Sequence, residues 1–512
     1  MLSERIARLS DRVRNTQPTL DLDRARLFTE FYSQPSMENY IIKRAKAFKN
    51  YLENMELFID DDEQMAGHQG SRIQSVILYP EVTKWLYDDF ETLDKRPNDN
   101  LAFRSEEDRQ ELKKIVEIWK DHTFGDFTDS LLDDDLKDMI KTGVLTHGIS
   151  NQSTMNHSPD YDNFIKRGYR YYIDECKAKL EKLEIKDVYD MEQKLAWEAM
   201  IIGMEAVISL AHRYADLAEE KAGQCKDAKS REELLTMAEN CRVVPENPPQ
   251  TFLQATQMVW FHHLSLTLEV AGGDHNLGRY DQYMYPFYEK EAAEGRSEEY
   301  FADIIHELKL KVMEMWNIRC YRESVADPGC PLWMHIILGG VKENGQDACN
   351  ELTRVFLRCL LDLQTDEPCI SFRYHRNVDE ETFRLAIKAA RDTGGHPAFY
   401  NDDTAITYLL QLGFTLKEAR NCGICGCIEP QVLGKSDFQS NPGYFNPVKI
   451  FEITLHNGYD RVTGRKLGLE TGDPRDFKDI EDLKNAYQKQ QSYFLSRFVE
   501  MYNATLAGHA YT

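Results

Sequence analysis

Three short runs of apolar and β-branched residues, at 334–338, 369–375 and 398–400, constrain the fold most. Each is separated from the next by a helix-length amphipathic stretch, and Gly or Pro flanks most of them. An alternation of period-2 and period-3.6 segments predicts strands lining a core with helices outside, with 380–391 and 405–420 as two of those helices. The fold class that follows is α/β, in an α/β barrel arrangement. The chain around it is mostly helical. The first 130 or so residues read as helices joined by acidic turns. Residues 191–218 form a long helix pattern with apolar residues on most faces, which predicts a buried helix. The Pro-rich word VVPENPPQ (243–250) is a turn, and 251–268 is helical again. Ile480, Leu483, Tyr487, Phe494, Phe498 and Met501 fall on one face of a last long helix. The chain then stops at AGHAYT with no closing element, so a barrel wall is expected to stand open there.

Composition removes several classes of function. With 62 Lys and Arg against 86 Asp and Glu, the net charge is −24 and no basic run interrupts it. That excludes a phosphate-backbone binder, so no nucleic acid partner is expected. The start, MLSERIARLSDR, lacks the apolar core of a signal peptide. The most apolar stretch, 199–211, is short and contains Glu205, so no membrane span is expected. Eleven cysteines, an odd number at irregular spacing, read as reduced thiols and point to a cytoplasmic protein.

Cys422, Cys425 and Cys427 fall together in NCGICGCIEPQ (421–431). Gly423 and Gly426 permit close backbone approach and positive φ there. In an extended loop Cys427 and Glu429, two apart, would point the same way into one cavity. A carboxylate beside a thiol raises the thiol pKa and opposes polar nucleophilic catalysis. Hydrogen-atom chemistry needs no thiolate, and a sulfur radical beside a base fits the pair better. Two other readings stand next to this one. Cys422-x-x-Cys425 is half of a zinc or iron–sulfur pattern, but no second C-x-x-C or H-x-x-H pair completes it, so no metal is expected. The three cysteines could also be small buried residues of a tight turn.

GCIEPQ resembles the Gly-Cys-Val/Ile-Glu-Pro loop of glycyl radical enzymes, in the branch of glycerol and diol dehydratases, choline lyases and hydroxyproline dehydratases. Further words agree in order: QMVWFHHLSLTLE (257–269), GRYDQYMYPFY (278–288), ILGGVKENGQDACNEL (337–352), GGHPAFYND (394–402), GYFNPVKIFEITLHNGYD (443–460) and LETGDPRDF (469–477). The likeness runs from about residue 20 to the end. It implies a partial barrel of the pyruvate formate-lyase type, with 1–130 as an amino-terminal helical region and 131–512 as the first part of the barrel, carrying the cysteine loop near 421–431.

Site residues follow from the resemblance one at a time. Cys427 resembles the thiyl radical cysteine and Glu429 the catalytic base. Tyr444 resembles the tyrosine that follows the cysteine loop and faces the substrate. His157, in NHSPDYDNFIKRG, resembles a pocket histidine of the hydroxyproline dehydratase type. Asp274, in GGDHNLGR, occupies the segment where dehydratases set a Ser, His or Asp against substrate hydroxyls, and Trp333 sits where relatives put an aromatic wall. Each also has a structural reading: a surface histidine, a turn-forming aspartate and core aromatics. The family's radical glycine lies in an Arg-Val-x-Gly-Tyr word near a distant carboxy terminus. RVTGR (461–465) is similar, but Arg465 follows Gly464 and the word comes soon after the cysteine loop, so it reads as a chance match. The glycine loop and the second half of the barrel are therefore expected to be absent from these 512 residues, and the chain alone to be inactive.

The resemblance implies a carbon–oxygen lyase acting on a small hydroxylated substrate such as a diol, glycerol or hydroxyproline. No bound cofactor is expected. A glycyl radical would be installed by a radical-SAM activating enzyme that uses S-adenosylmethionine and an iron–sulfur cluster, and the complete enzyme would be a homodimer. The alternatives are an arylacetate decarboxylase, of which FRYH (372–375) is weakly suggestive, another radical C–N or C–S lyase, or a truncated or split-enzyme fragment. Gly426 before Cys427 and Ile428 after it disfavour formate acetyl transfer, which uses two adjacent cysteines.

Overall fold

The structure, a computed structural model, describes residues 2–148, 156–270, 274–326, 332–438 and 442–511. Most of the chain is helical. Its strands are short: β1 (Thr19–Asp21), β2 (Ser75–Ile77), β3 (Leu145–His147), β4 (Asn156–His157), β5 (His335–Gly339), β6 (Cys369–Tyr374), β7 (Ala398–Asn401), β8 (Cys422–Cys425), β9 (Glu429–Val432), β10 (Asp437–Phe438) and β11 (Gly443–Phe445). The chain divides into two compact units. The first comprises Met1–Tyr79, Asp89–Ile115 and Asn156–Phe438, and the second Pro80–Asp88, Val116–Met155 and Gln439–Thr512.

The three runs at 334–338, 369–375 and 398–400 become β5, β6 and β7, side by side and parallel in one sheet of the first unit. Parallel strands need a long return, and helices Glu351–Asp362 and Glu380–Asp392 supply it. The sequence HIILG of β5 is buried at every position, as a strand covered on both faces must be. β7 alternates between half-buried and exposed and pairs only with β6 among the described strands; its Phe399 is 41% exposed.

Beside the sheet, helix Phe252–Glu269 is buried along nearly its whole length. The long helix spans Val188–Gln224, started by a capping box in which Asp187 and Asp190 bond each other's backbone N–H. The expectation that it is buried holds only for its second half, from Ala206 to Ala222. Its first half leaves Tyr189 69% and Met200 49% exposed. By length and composition alone this helix could cross a membrane; in this structure it packs against helices Tyr40–Asn54 and Ala228–Val243. The helix expected over 405–420 is two, Asp402–Gln411 and Leu416–Arg420, parted at Gly413 with φ 94°. In the second unit, helix Ile480–Tyr511 brings Phe494 and Met501 onto a core with Leu136, Met139, Ile450 and Ile453. The RVTGR word there forms a tight loop, with Gly464 N–H bonded to Asp460 O and Tyr459 bridging Lys466.

A buried ion pair joins the sheet to the cysteine segment. Arg373 on β6 and Asp402 are each 1% exposed, and the guanidinium donates to both carboxylate oxygens at 2.7 and 3.0 Å. It also donates to the carbonyls of Cys422 (2.7 Å) and Arg420 (3.1 Å), while Asp402 accepts the N–H of Val341. Removing one partner leaves the other charge buried and uncompensated. Arg373→Met is therefore expected to destabilise the protein by about 3–5 kcal/mol. Chemical denaturation measures this, and Arg373→Met with Asp402→Leu should recover a large part of the loss. A double variant no more stable than the single one would contradict the unpaired-charge account.

Candidate active site

The cysteine segment is not the extended loop that the sequence suggested. It is an antiparallel hairpin in which Cys422 pairs Val432, Gly423 pairs Gln431 and Cys425 pairs Glu429. The hairpin lies so close to its neighbours that a Cβ on Gly423 would meet Leu433 at 2.7 Å and Ile337 at 3.3 Å. Gly426, at φ 60°, opens a three-residue tip in the left-handed region that a bulkier residue disfavours. Cys427 stands in the middle of that tip and is exposed; Ile428 is 69% exposed. Glu429 begins β9, half-buried, and its Oε2 accepts the N–H of Ile428 at 2.8 Å.

The parallel sheet pins the tip from two strands. His335 on β5 lies with Nε2 2.6 Å from the carbonyl of Gly426 and Nδ1 2.6 Å from Ser371 Oγ. A carbonyl only accepts, so Nε2 carries the proton and Nδ1 accepts from the serine hydroxyl. Burial holds this imidazole neutral by lowering its pKa to about 4. From β7, the Tyr400 hydroxyl donates to the carbonyl of Cys427 at 3.0 Å. Both tethers are made to backbone carbonyls of the tip.

Asp274 supplies a different chemistry. It is 3% exposed, its backbone adopts φ 68°, and its N–H donates to Leu332 O at 2.7 Å. Its Oδ1 is buried with no hydrogen-bond partner. Burial above all raises its carboxyl pKa to about 7; Arg319 opposes this, and the charges of Glu429 and Glu367 add to it. Its carbonyl accepts the S–H of Cys425, which fixes the segment against β8.

Trp333 is half-buried at φ 50°, with the Arg319 guanidinium 4.5 Å from its ring centroid. Glu367 holds this stretch by accepting N–H groups from Leu332 (3.0 Å), Trp333 (2.7 Å), Met334 (3.3 Å) and Cys369 (3.2 Å). Burial lifts the Glu367 carboxyl to about 7. His157 is half-buried on β4; its ring lies 4.9 Å from that of His275, and its carbonyl accepts the N–H of Asn276.

Cys427, Glu429, Asp274 and Trp333 therefore gather in the first unit with His157 nearby through Cys425, whose thiol reaches the carbonyls of both His157 and Asp274. Tyr444 lies in the second unit, on β11 opposite Thr146, and is 58% exposed. Sequence reasoning missed His335, Tyr400, Glu367, Arg319 and Cys369. A histidine in an otherwise apolar strand was the one available signal among them.

Among the described residues, the one group of three side chains close enough to share a metal ion is Glu63, His68 and Glu314, which contains no cysteine. His68 bridges the two carboxylates at 2.9 and 3.1 Å and Lys311 binds Glu63 at 2.8 Å, so two cations already face two anions. Glu63 and Glu314 hold the His68 imidazole in its charged form, raising its pKa to about 9 against the burial that opposes it.

A family model described as pyruvate formate lyase-like matches residues 2–512. Trans-4-hydroxy-L-proline dehydratase of Clostridioides difficile is 30% identical over 509 residues, covering 97% of this chain and 63% of that protein. Isethionate sulfite-lyase of Nitratidesulfovibrio vulgaris is 31% identical over 521 residues, covering 98% and 62%. Among solved structures, the glycerol-bound B12-independent glycerol dehydratase of Clostridium butyricum superposes with a TM-score of 0.95 at 30% identity, over 100% of this chain and 64% of that one. The chain thus spans a little under two thirds of the length of the relatives it matches.

Proposed function

The chain belongs to the pyruvate formate lyase-like family, and we propose on that footing that it carries the reaction centre of a glycyl radical lyase of the dehydratase type. The substrate class is a small molecule with hydroxyls on neighbouring carbons or a hydroxyl next to a C–H bond that a thiyl radical can open: a diol, glycerol or a hydroxyproline. The observation that carries the reading is the company of the Cys427 thiol. A carboxylate follows two residues on, and a buried carboxylic acid, Asp274, keeps its proton to about pH 7.

The family's glycyl radical, installed by an activating enzyme with S-adenosylmethionine and an iron–sulfur cluster, supplies the unpaired electron. Cys427 takes a hydrogen atom from the substrate carbon. A hydroxyl on the resulting radical carbon becomes far more acidic, and Glu429 accepts its proton. The C–O bond on the neighbouring carbon then breaks, and Asp274 donates its proton so that water leaves rather than hydroxide. Cys427 returns the hydrogen atom to carbon, giving a carbonyl product. With a hydroxyproline the radical carbon bears the ring nitrogen in place of a hydroxyl, Glu429 takes the proton from that nitrogen, and the product is an imine. Trp333 and His157 belong to the substrate walls in this reading. The full-length enzyme acts in the cytoplasm as a homodimer with its activating enzyme as partner.

The test is a substrate panel offered to the activated, full-length enzyme under anaerobic conditions. Diols, glycerol and hydroxy amino acids should yield dehydrated products; release of carbon dioxide from an arylacetate, with every hydroxylated compound inert, would replace this reading with a decarboxylase. Asp274 adds a pH signature. Its folded pKa is raised, so the acid is present below about pH 7 and lost above it. Activity should therefore fall as pH rises through about 7, and Asp274→Asn should lower the rate and erase that limb. An unchanged alkaline limb in the variant would assign it to another group.

A further inference from the structure

Cys369 has no part in the chemistry above. It opens β6, the middle strand of the sheet, opposite His335 in the parallel register. Alternate residues of a strand share a face, and the pairing puts His335, Cys369, Ser371, Arg373 and Tyr400 on the same one. Four of these five bind the hairpin or its props: Arg373 at Cys422, Ser371 at His335, His335 at Gly426 and Tyr400 at Cys427. The face is the one the hairpin covers, and Cys369 stands on it beside the residue that grips the tip. Burial raises the Cys369 thiol pKa; beyond burial, the charges of Glu367, Cys427 and Asp274 raise it further, which places the two sulfurs in each other's field. Cys425 is differently engaged, fully buried with its S–H on the carbonyls of Asp274 and His157.

We infer that Cys369 is a resolving thiol for Cys427, and that a peroxide converts the two into a reversible disulfide that takes the reactive sulfur out of use and protects it. The inference does not depend on the substrate or on the radical chemistry proposed above. The Cys427 thiol attacks the peroxide, the O–O bond breaks, one oxygen remains as the sulfenic acid and the other leaves as water with the thiol proton. Cys369 then attacks the sulfenic sulfur, the S–S bond forms, the S–O bond breaks and water leaves with the thiol proton. Two electrons pass from the thiol pair to the peroxide. Glu367 accepts the S–H of Cys369 and is the base for that proton.

The 512-residue chain itself suffices for the test. Treated with hydrogen peroxide, alkylated and digested without reductant, it should give one peptide containing Cys369 joined to one containing Cys427. Both thiols should be lost to the alkylating probe and return with dithiothreitol. In Cys369→Ala the sulfenic acid has no resolving partner, so Cys427 should pass to the sulfinic acid and its label should not return. Mapping on the unaltered chain decides the matter even if the variant misfolds. Cys427 oxidised alone while Cys369 stays alkylatable, Cys427 joined to Cys425, or no oxidation of either thiol would each overturn the inference.

Discussion

Cys427→Ser is expected to reduce turnover of the activated full-length enzyme to background while leaving the hairpin in place. The two halves of that expectation have separate causes. The tip is held through backbone carbonyls, Gly426 by His335 and Cys427 by Tyr400, and neither bond uses the side chain at 427. Serine therefore inherits the position. It does not inherit the chemistry, because an O–H bond is too strong to exchange hydrogen atoms reversibly with a substrate carbon. Product formation and the unfolding midpoint, measured together, test both halves. Turnover near the unaltered rate would remove Cys427 from the mechanism, and a collapsed midpoint would show that the thiol matters to the fold.

The part of the fold that the sequence disclosed is the part governed by local period. The runs at 334–338, 369–375 and 398–400 became parallel strands, and in the first of them burial on both faces demands continuous apolar residues, a demand visible without any tertiary information. The long helix shows the limit of the same reasoning. Apolar residues on most faces of 191–218 predicted burial, yet Met191 and Met200 lie 41% and 49% exposed, because periodicity reports what a helix could bury and not what packs beside it. At the site, the glycines of NCGICGC signalled an unusual loop, but an extended loop and a three-residue hairpin tip use the same glycines. The register in which Cys425 faces Glu429 is a tertiary fact. So is the pKa of Asp274. The word GGDHNLGR contains nothing that distinguishes a turn-former from a buried acid; burial and the nearby charges of Glu429 and Glu367 make the difference. His335, Glu367 and Tyr400 were hidden for the same reason, since each acts on backbone distant in sequence.

Glu429→Gln should keep substrate affinity and lose about 10²–10⁴ in rate, the range a positioned general base contributes. The amide has the same shape, and its oxygen can still accept the Ile428 N–H that Glu429 Oε2 accepts now. The loss should therefore fall on kcat and leave KM nearly unchanged. A second consequence separates the base from a merely structural carboxylate. The charge of Glu429 is one of the causes that raise Asp274 toward about 7. Neutralising it lets the Asp274 carboxyl ionise at lower pH, so the alkaline limb of the residual activity should move to lower pH. A carboxylate remote from the reaction would give neither effect. A rate loss below about tenfold contradicts the general-base role on the same scale. A full loss with the limb unmoved would keep Glu429 in the chemistry and separate it from the acid that the proposed dehydration requires.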